Sequence, residues 1–183
     1  MTTRNGDWIQ TFTGQKYYPA DPRPEEVNIQ DIGHALPMLC RYTGHCRRFY
    51  SVAEHSWHVS YLVSAQSALA GLLHDATEAY TNDISRPLKR SLPDYKVIEH
   101  LNWLAISAAF RLPEVLPAEV HEADRNMLTV EKDALLRAEP QWETDFGRPC
   151  VPVKIFAWRP EIAEEMFLRR FYELDALGRF PRA

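Results

Sequence analysis

The chain has 183 residues, 45% of them hydrophobic, with a formal net charge of −4 and a sequence pI near 6.0. That length builds one well-buried core, and the negative balance supplies no basic field for a nucleic-acid polymer or an anionic membrane, so an anionic ligand must be met by local cations. Met1 to Tyr18 lacks the apolar core of a signal peptide, no long apolar run follows, and Cys40, Cys46 and Cys150 include no CxxC pair, so we expect a cytoplasmic protein with reduced thiols.

Trp8, Phe12, Tyr17 and Tyr18 surround Gly14 and precede Pro19, Pro22 and Pro24, which predicts a short hairpin over Ile9 to Tyr18 and then an extended arm. From Val27 to Arg41 the residues Ile29, Ile32, Leu36 and Leu39 recur at helical spacing, with Pro37 bending or shortening the element. Ser51 followed by Glu54 matches a capping box, so a second helix is expected to run to about Ala65 with His55 in its first turn. Ser67 is expected to cap a third helix over 68–81. Pro87 and Pro93 mark 82–92 as a loop, and further helices are expected over 94–111 and, with Pro117 at its first position, to Arg137. A loop rich in proline follows, with a short strand expected within Val151 to Trp158. Pro160 opens a last helix through Leu177, its apolar face Ile162, Met166, Phe167, Phe171 and Leu174.

The third of these helices concentrates the chemistry. It is apolar almost all round, the signature of a buried helix, except for one arc that carries His74, Asp75 and Glu78. Ionisable groups in such a helix are costly unless paired, and a divalent cation removes that cost. Asp124 repeats the anomaly on the fifth helix, a carboxylate within the arc of Val120, Ala123, Met127 and Val130; Glu131 lies on the same arc as a candidate acceptor behind the ligands. His55, His74, Asp75 and Asp124 together make a mixed nitrogen and oxygen set that suits a first-row transition metal. Mn, Fe, Co, Ni and Zn all remain open, and Mg fits less naturally because of the histidines.

His55, then His74-Asp75, then Asp124 resembles the ordered ligand set of the HD-domain metal-dependent phosphohydrolases. The flanks Val52-Ala53-Glu54-His55-Ser56, His74-Asp75-Ala76-Thr77-Glu78, Asp83, Pro87-Leu88-Lys89 and Ala123-Asp124 are similar to the small branch that contains 5′-deoxynucleotidases. Cys40 to His45 and Asp75 to Tyr80 are most similar to a phage and prophage subgroup that includes deoxyadenosine triphosphate hydrolases. Tyr42 stands where the nucleotidases carry Trp.

The resemblance implies an all-α fold, a single helical bundle with the metal between helices: an arm at 1–26, a metal-binding core at 27–139, and a loop and helix at 140–183. It implies hydrolysis of the 5′-phosphoester of deoxynucleotides, monophosphates and triphosphates both being open, with a non-catalytic nucleotide-binding protein as the contrasting expectation. Glu78 and Asp83 are the expected catalytic carboxylates, beside the water or a second divalent ion. Arg41, Tyr42 and Lys89 are the expected substrate contacts, and His45 the one further histidine expected near substrate. The expected partner is a nucleotide, with neither a nucleic-acid polymer nor a membrane, and the chain is expected to form a homo-oligomer. Trp57, Trp103, Trp142 and Trp158 read as core or partly buried aromatics with no claim on the substrate.

Overall fold

Between Thr11 and Gln15 the chain reverses through Gly14, whose φ of 85° a side chain would resist, and strands β1 (Ile9–Gln10) and β2 (Lys16–Tyr17) pair antiparallel. Apart from this hairpin and single 3₁₀ turns at Pro24–Glu26 and Tyr42–Gly44, the regular structure is helical, and the fold is all-α. The structure is a computed structural model describing residues 4–143 and 146–178, without the side chains of 177 and 178. The expected arm and C-terminal segment therefore lie in part outside the described residues.

Helix α1 (Ile29–Met38) starts where the Asn28 side chain accepts the Gln30 N–H at 2.9 Å, and ends three residues earlier than expected. Pro37 lies in its last turn, and Leu39 N–H bonds back only to Leu36 O. A Cβ at Gly33 would overlap Leu168, so the glycine sets how closely the C-terminal helix lies on α1. Helix α2 (Val52–Leu62) begins at Ser51, whose Oγ accepts the Glu54 N–H at 3.1 Å.

The single helix expected over 68–81 is divided. Helix α3 (Ala68–Leu73) and α4 (Glu78–Thr81) are joined by a tighter path in which Ala76, Glu78, Ala79 and Tyr80 donate to carbonyls three residues back. The Gly71 carbonyl accepts from the His74 ring instead of continuing the helix ladder. Asn82, at φ 72°, turns the chain out of α4. The expected loop over 82–92 contains a short helix α5 (Arg86–Arg90): Pro87 does not interrupt it, because in the first turn of a helix the missing N–H has no partner to lose. Helices α6 (Pro93–Phe110) and α7 (Ala118–Leu135) follow, then an extended segment and α8 (Pro160–Gly178). Among the described residues no strand forms within 151–158, and Ile162 is 41% exposed, so the buried face of α8 is Ala163, Phe167, Phe171 and Leu174.

Helix α2 is the hub, packed by α1, α3, α7 and α8. On one side Val52 and Ala53 join Ile32, Leu36, Leu72 and Phe167; on the other Val59 joins Tyr50, Val120, Met127 and Leu135. Each such fully buried large aliphatic or aromatic side chain contributes about 1.5–3 kcal/mol. α2 also buries Glu54, His55, Ser56, His58 and Ser60, so polar groups run through the middle of the molecule and each needs a partner. No helix is long and apolar enough to cross a membrane among the described residues.

Candidate metal centre

The capped start of α2 places His55 one turn in and fully buried. Gly71 lets α3 approach α2 closely, since a Cβ there would stand 3.3 Å from Ser60 Cα and 3.4 Å from the Val59 carbonyl. His74, just past α3, is thereby brought against His55, and the two Nε2 atoms lie 3.3 Å apart. Asp124 reaches in from α7, its Oδ1 3.2 Å from His55 Nε2. One ligand atom from each of His55, His74 and Asp124 falls within 4.8 Å of the others. Asp75 lies beside them, its Oδ2 3.2 Å from His74 Nε2 and 3.6 Å from His55 Nε2, and 3.4 Å from Arg41 Nη1.

The far side of each ring decides whether a metal fits. His55 Nδ1 is 2.5 Å from Glu131 Oε1, and His74 Nδ1 donates to the Gly71 carbonyl at 2.8 Å. With the protons drawn to Nδ1, both neutral rings turn Nε2 lone pairs toward the same point, where carboxylate oxygens already gather. Such a set repels itself unless a cation or a proton stands between. The His55–His74, His55–Asp124, His55–Asp75 and His74–Asp75 separations of 3.2–3.6 Å are also close to the ligand–ligand spacing of a tetrahedral site, about 3.4 Å for metal–ligand bonds near 2.1 Å. The residues present fit a divalent transition metal.

The electrostatics show what that point demands in the metal-free state. Burial and Arg41 pull the His55 imidazole down, but Glu131 and Asp124 outweigh them and push it up to about 9. Burial raises Asp124 and Glu131, yet His55 and His74 hold Asp124 down at about 2, and Arg41, His55 and Tyr42 hold Glu131 at about 2. Asp75 likewise stays below the usual carboxylate range, burial being overcome by His74, His55 and Arg41. Glu78 is the exception. Burial, then the negative charges of Asp75 and Asp83, drive it well above its ordinary value against Arg41 and Lys89. Its Oε2 is buried with no hydrogen-bond partner. Asp83 is also raised, by burial first.

Glu131, anticipated only as an acceptor behind the ligands, proves to be the polar hub. With no exposed surface, it accepts from His55 Nδ1, from Tyr42 Oη at 2.6 Å, from Tyr50 Oη at 3.1 Å, and from Arg41 Nε at 3.2 Å. Arg41 is 8% exposed and bridges Glu131 and Asp75. Tyr42 takes a positive φ of 56°, costly for an aromatic residue, and its bond to Glu131 holds it there. The Tyr42 hydroxyl proton is thus already committed, and what Tyr42 offers a ligand is its ring and an acceptor oxygen.

Above the cluster opens a cleft of about 590 Å³, within the range of small-molecule sites. Arg41, Tyr42, Asp75, Glu78, Asp83, Lys89 and Asp124 all line it, whereas His45 is exposed and outside it. Lys89 is held by Glu99 at 2.6 Å. The structure adds Arg86, Trp142 and Phe146 to the walls. Trp142, expected as a core or partly buried aromatic, is partly buried but belongs to the cleft. The loop carrying it has no periodicity to reveal its direction, and its one signal was an aromatic in a proline-rich connection just after a ligand-bearing helix.

No established family profile matches the chain. It is 38% identical over 172 residues to the uncharacterized protein YfdR of Escherichia coli (strain K12), covering 93% of this chain and 97% of that one. It is 33% identical over 159 residues to an uncharacterized protein of Rhodobacter capsulatus, covering 78% and 80%.

Proposed function

We propose that this chain, which belongs to the YfdR family, is a metal-dependent phosphohydrolase of the HD type that cleaves the 5′-phosphoester of deoxynucleotides. The observation that carries the reading is the convergence of His55 Nε2, His74 Nε2 and Asp124 Oδ1 just behind a nucleotide-sized cleft, which Asp75, Asp124 and a fixed arginine line. His55, His74, Asp75 and Asp124 would hold the ion, whose chemistry when bound is to polarise the phosphoryl group and supply a nucleophile at neutral pH.

The chain's own side chains do the rest. Arg41 has Nε turned to Glu131 and Nη1 toward the cleft floor, so its charge is oriented before substrate arrives and stabilises the negative charge on the phosphoryl oxygens. Lys89, which also lines the cleft, adds a second cation. Hydrolysis takes one proton from water and delivers one to the departing 5′ oxygen. Glu78, buried and biased toward its protonated form, is suited to hold the proton for delivery, and Asp83 beside it to receive the other. An unpartnered buried carboxyl is a liability in a site that only binds, which favours turnover over the sensor reading.

A second reading within the same chemistry, hydrolysis of deoxyadenosine triphosphate, draws support from α5, whose Arg86, Lys89 and Arg90 line one wall and suit a longer phosphate chain. The test is phosphate, pyrophosphate and triphosphate release from mono-, di- and triphosphates of the four deoxynucleosides with Mn or Co, with products identified. Release abolished by EDTA is expected; binding without release of any product overturns the enzyme reading.

A further inference from the structure

Resting on the reading of the cleft as a nucleotide site, we propose that Trp142 and Phe146 form its nucleobase subsite, recognising the base by its faces and therefore accepting purines and pyrimidines alike. The aromatic wall begins beside the metal ligands: His55 bonds to Glu131, Glu131 to Tyr42 Oη, and the Tyr42 ring centre lies 6.4 Å from that of Trp142, at 40°. Trp142 and Phe146 meet edge to face at 5.7 Å and 87°, making a corner of two ring surfaces. Lys132 Nζ stands 5.3 Å from the Trp142 ring centre and does not line the cleft, so it covers the outer face and leaves the inner one to a ligand. Arg86, from α5, stands with Cζ 5.5 Å over the Phe146 ring and so covers one face of it, which leaves Trp142 as the main stacking surface and Phe146 as the edge of the corner.

The chemistry of this corner separates it from the floor. The floor is carboxylates and a guanidinium, with the two imidazoles buried behind them, fit for a phosphate and a cation; the corner presents aromatic rings, fit for a flat heteroaromatic group. A 5′-nucleotide has those two ends, and 590 Å³ accommodates both at once. Stacking is indifferent to the pattern of donors and acceptors on a base edge, because every base has a π face.

The test is calorimetric binding of 2′-deoxyadenosine, 2′-deoxycytidine and inorganic phosphate to the Mn-loaded protein, wild type, Trp142→Ala and Trp142→Phe. Base–aromatic stacking of about 1–3 kcal/mol corresponds to roughly 5- to 150-fold, so Trp142→Ala should weaken both nucleosides by that factor and leave inorganic phosphate unchanged. Trp142→Phe should restore most of the loss. Equal nucleoside binding by wild type and Trp142→Ala, or none by wild type, overturns the subsite. A parallel phosphate-release assay separates the two claims: Trp142-dependent nucleoside binding without turnover supports the subsite while removing the hydrolase reading. Trp142-independent binding with turnover does the reverse.

Discussion

Glu131→Gln tests how far the metal centre depends on a residue that is not among the proposed ligands. The substitution keeps the volume but removes the charge that orients Arg41 and draws the His55 proton to Nδ1, and it sets an amide NH₂ among groups that all donate. Loss of such a partner behind a ligating histidine costs about 10- to 100-fold in metal affinity. Arg41, 8% exposed, would keep only Asp75, and breaking a buried pair by removing one member costs roughly 3–5 kcal/mol of stability. Chelator competition with Zn or Co gives the first number and urea unfolding of the metal-free protein the second. There is also a pH signature. His55 must lose its proton to ligate, and because Glu131 helps to hold that group at about 9, apparent wild-type affinity should rise about tenfold per pH unit up to that value. In Glu131→Gln the rise should level off at lower pH. Metal affinity within twofold of wild type, with the same pH dependence, would refute the reasoning.

Asp75→Ala should lose bound metal and activity together, and full occupancy by elemental analysis would remove Asp75 from the ligand set. Glu78→Gln and Asp83→Asn should keep metal and fold but lower kcat by about 10²- to 10⁴-fold, with wild-type turnover by either making that residue a bystander. The metal-free protein should be most stable in mildly acidic solution. The raised His55 contributes about 3 kcal/mol that is complete below its unfolded value near 6.5 and lost as pH rises through about 9. Asp124 and Glu131, depressed to about 2, contribute stability present above their unfolded values of about 4 and lost as pH falls through about 2. Glu78 and Asp83, both raised, weaken the fold as pH climbs from their unfolded values of about 4 through their higher folded ones; urea midpoints from pH 3 to 10 trace the curve, and a maximum above pH 8 would contradict it. Glu54→Gln should destabilise by roughly 1.5–3 kcal/mol, the worth of a hydrogen bond to a charged group, with metal affinity in the surviving folded fraction unchanged.

What was legible in the sequence was whatever depended on periodicity and order. His74 and Asp75 break an apolar run and lie just past α3, Asp124 interrupts the apolar arc of α7, and the structure brings both to His55, so their convergence was implicit in where burial and charge conflict. Glu131 was visible by the same logic, as an acid on a buried arc. The misplaced features depended on the path of the chain. Ser51 and Glu54 form the predicted pattern, and the serine half caps α2 as expected, but the Glu54 carboxylate leaves its own helix for residues a hundred positions away. Pro87 read as a break because a proline's meaning depends on whether it falls in a first turn or an interior. Trp142, Phe146 and Arg86 enter the cleft from a loop and a five-residue helix, where no repeat links position to direction.

The Glu54 carboxylate has one further consequence. Fully buried, it accepts the backbone N–H of Phe156 and Trp158 at 2.7 Å each and of Ala157 at 2.9 Å. It sits one residue before His55 in the helix against which α1, α3, α7 and α8 pack. During synthesis, which proceeds from the N-terminus, α2 emerges with a carboxylate that cannot be desolvated until residues 156–158 have followed, because a buried charge without donors is too costly to hold. The half of the chain that carries the candidate metal centre is thus complete in sequence long before it is complete in space. Assembly of the centre is timed by a segment that contributes no ligand to it, so ribosome-bound chains ending before residue 156 should leave His55 accessible to solvent and to chemical modification.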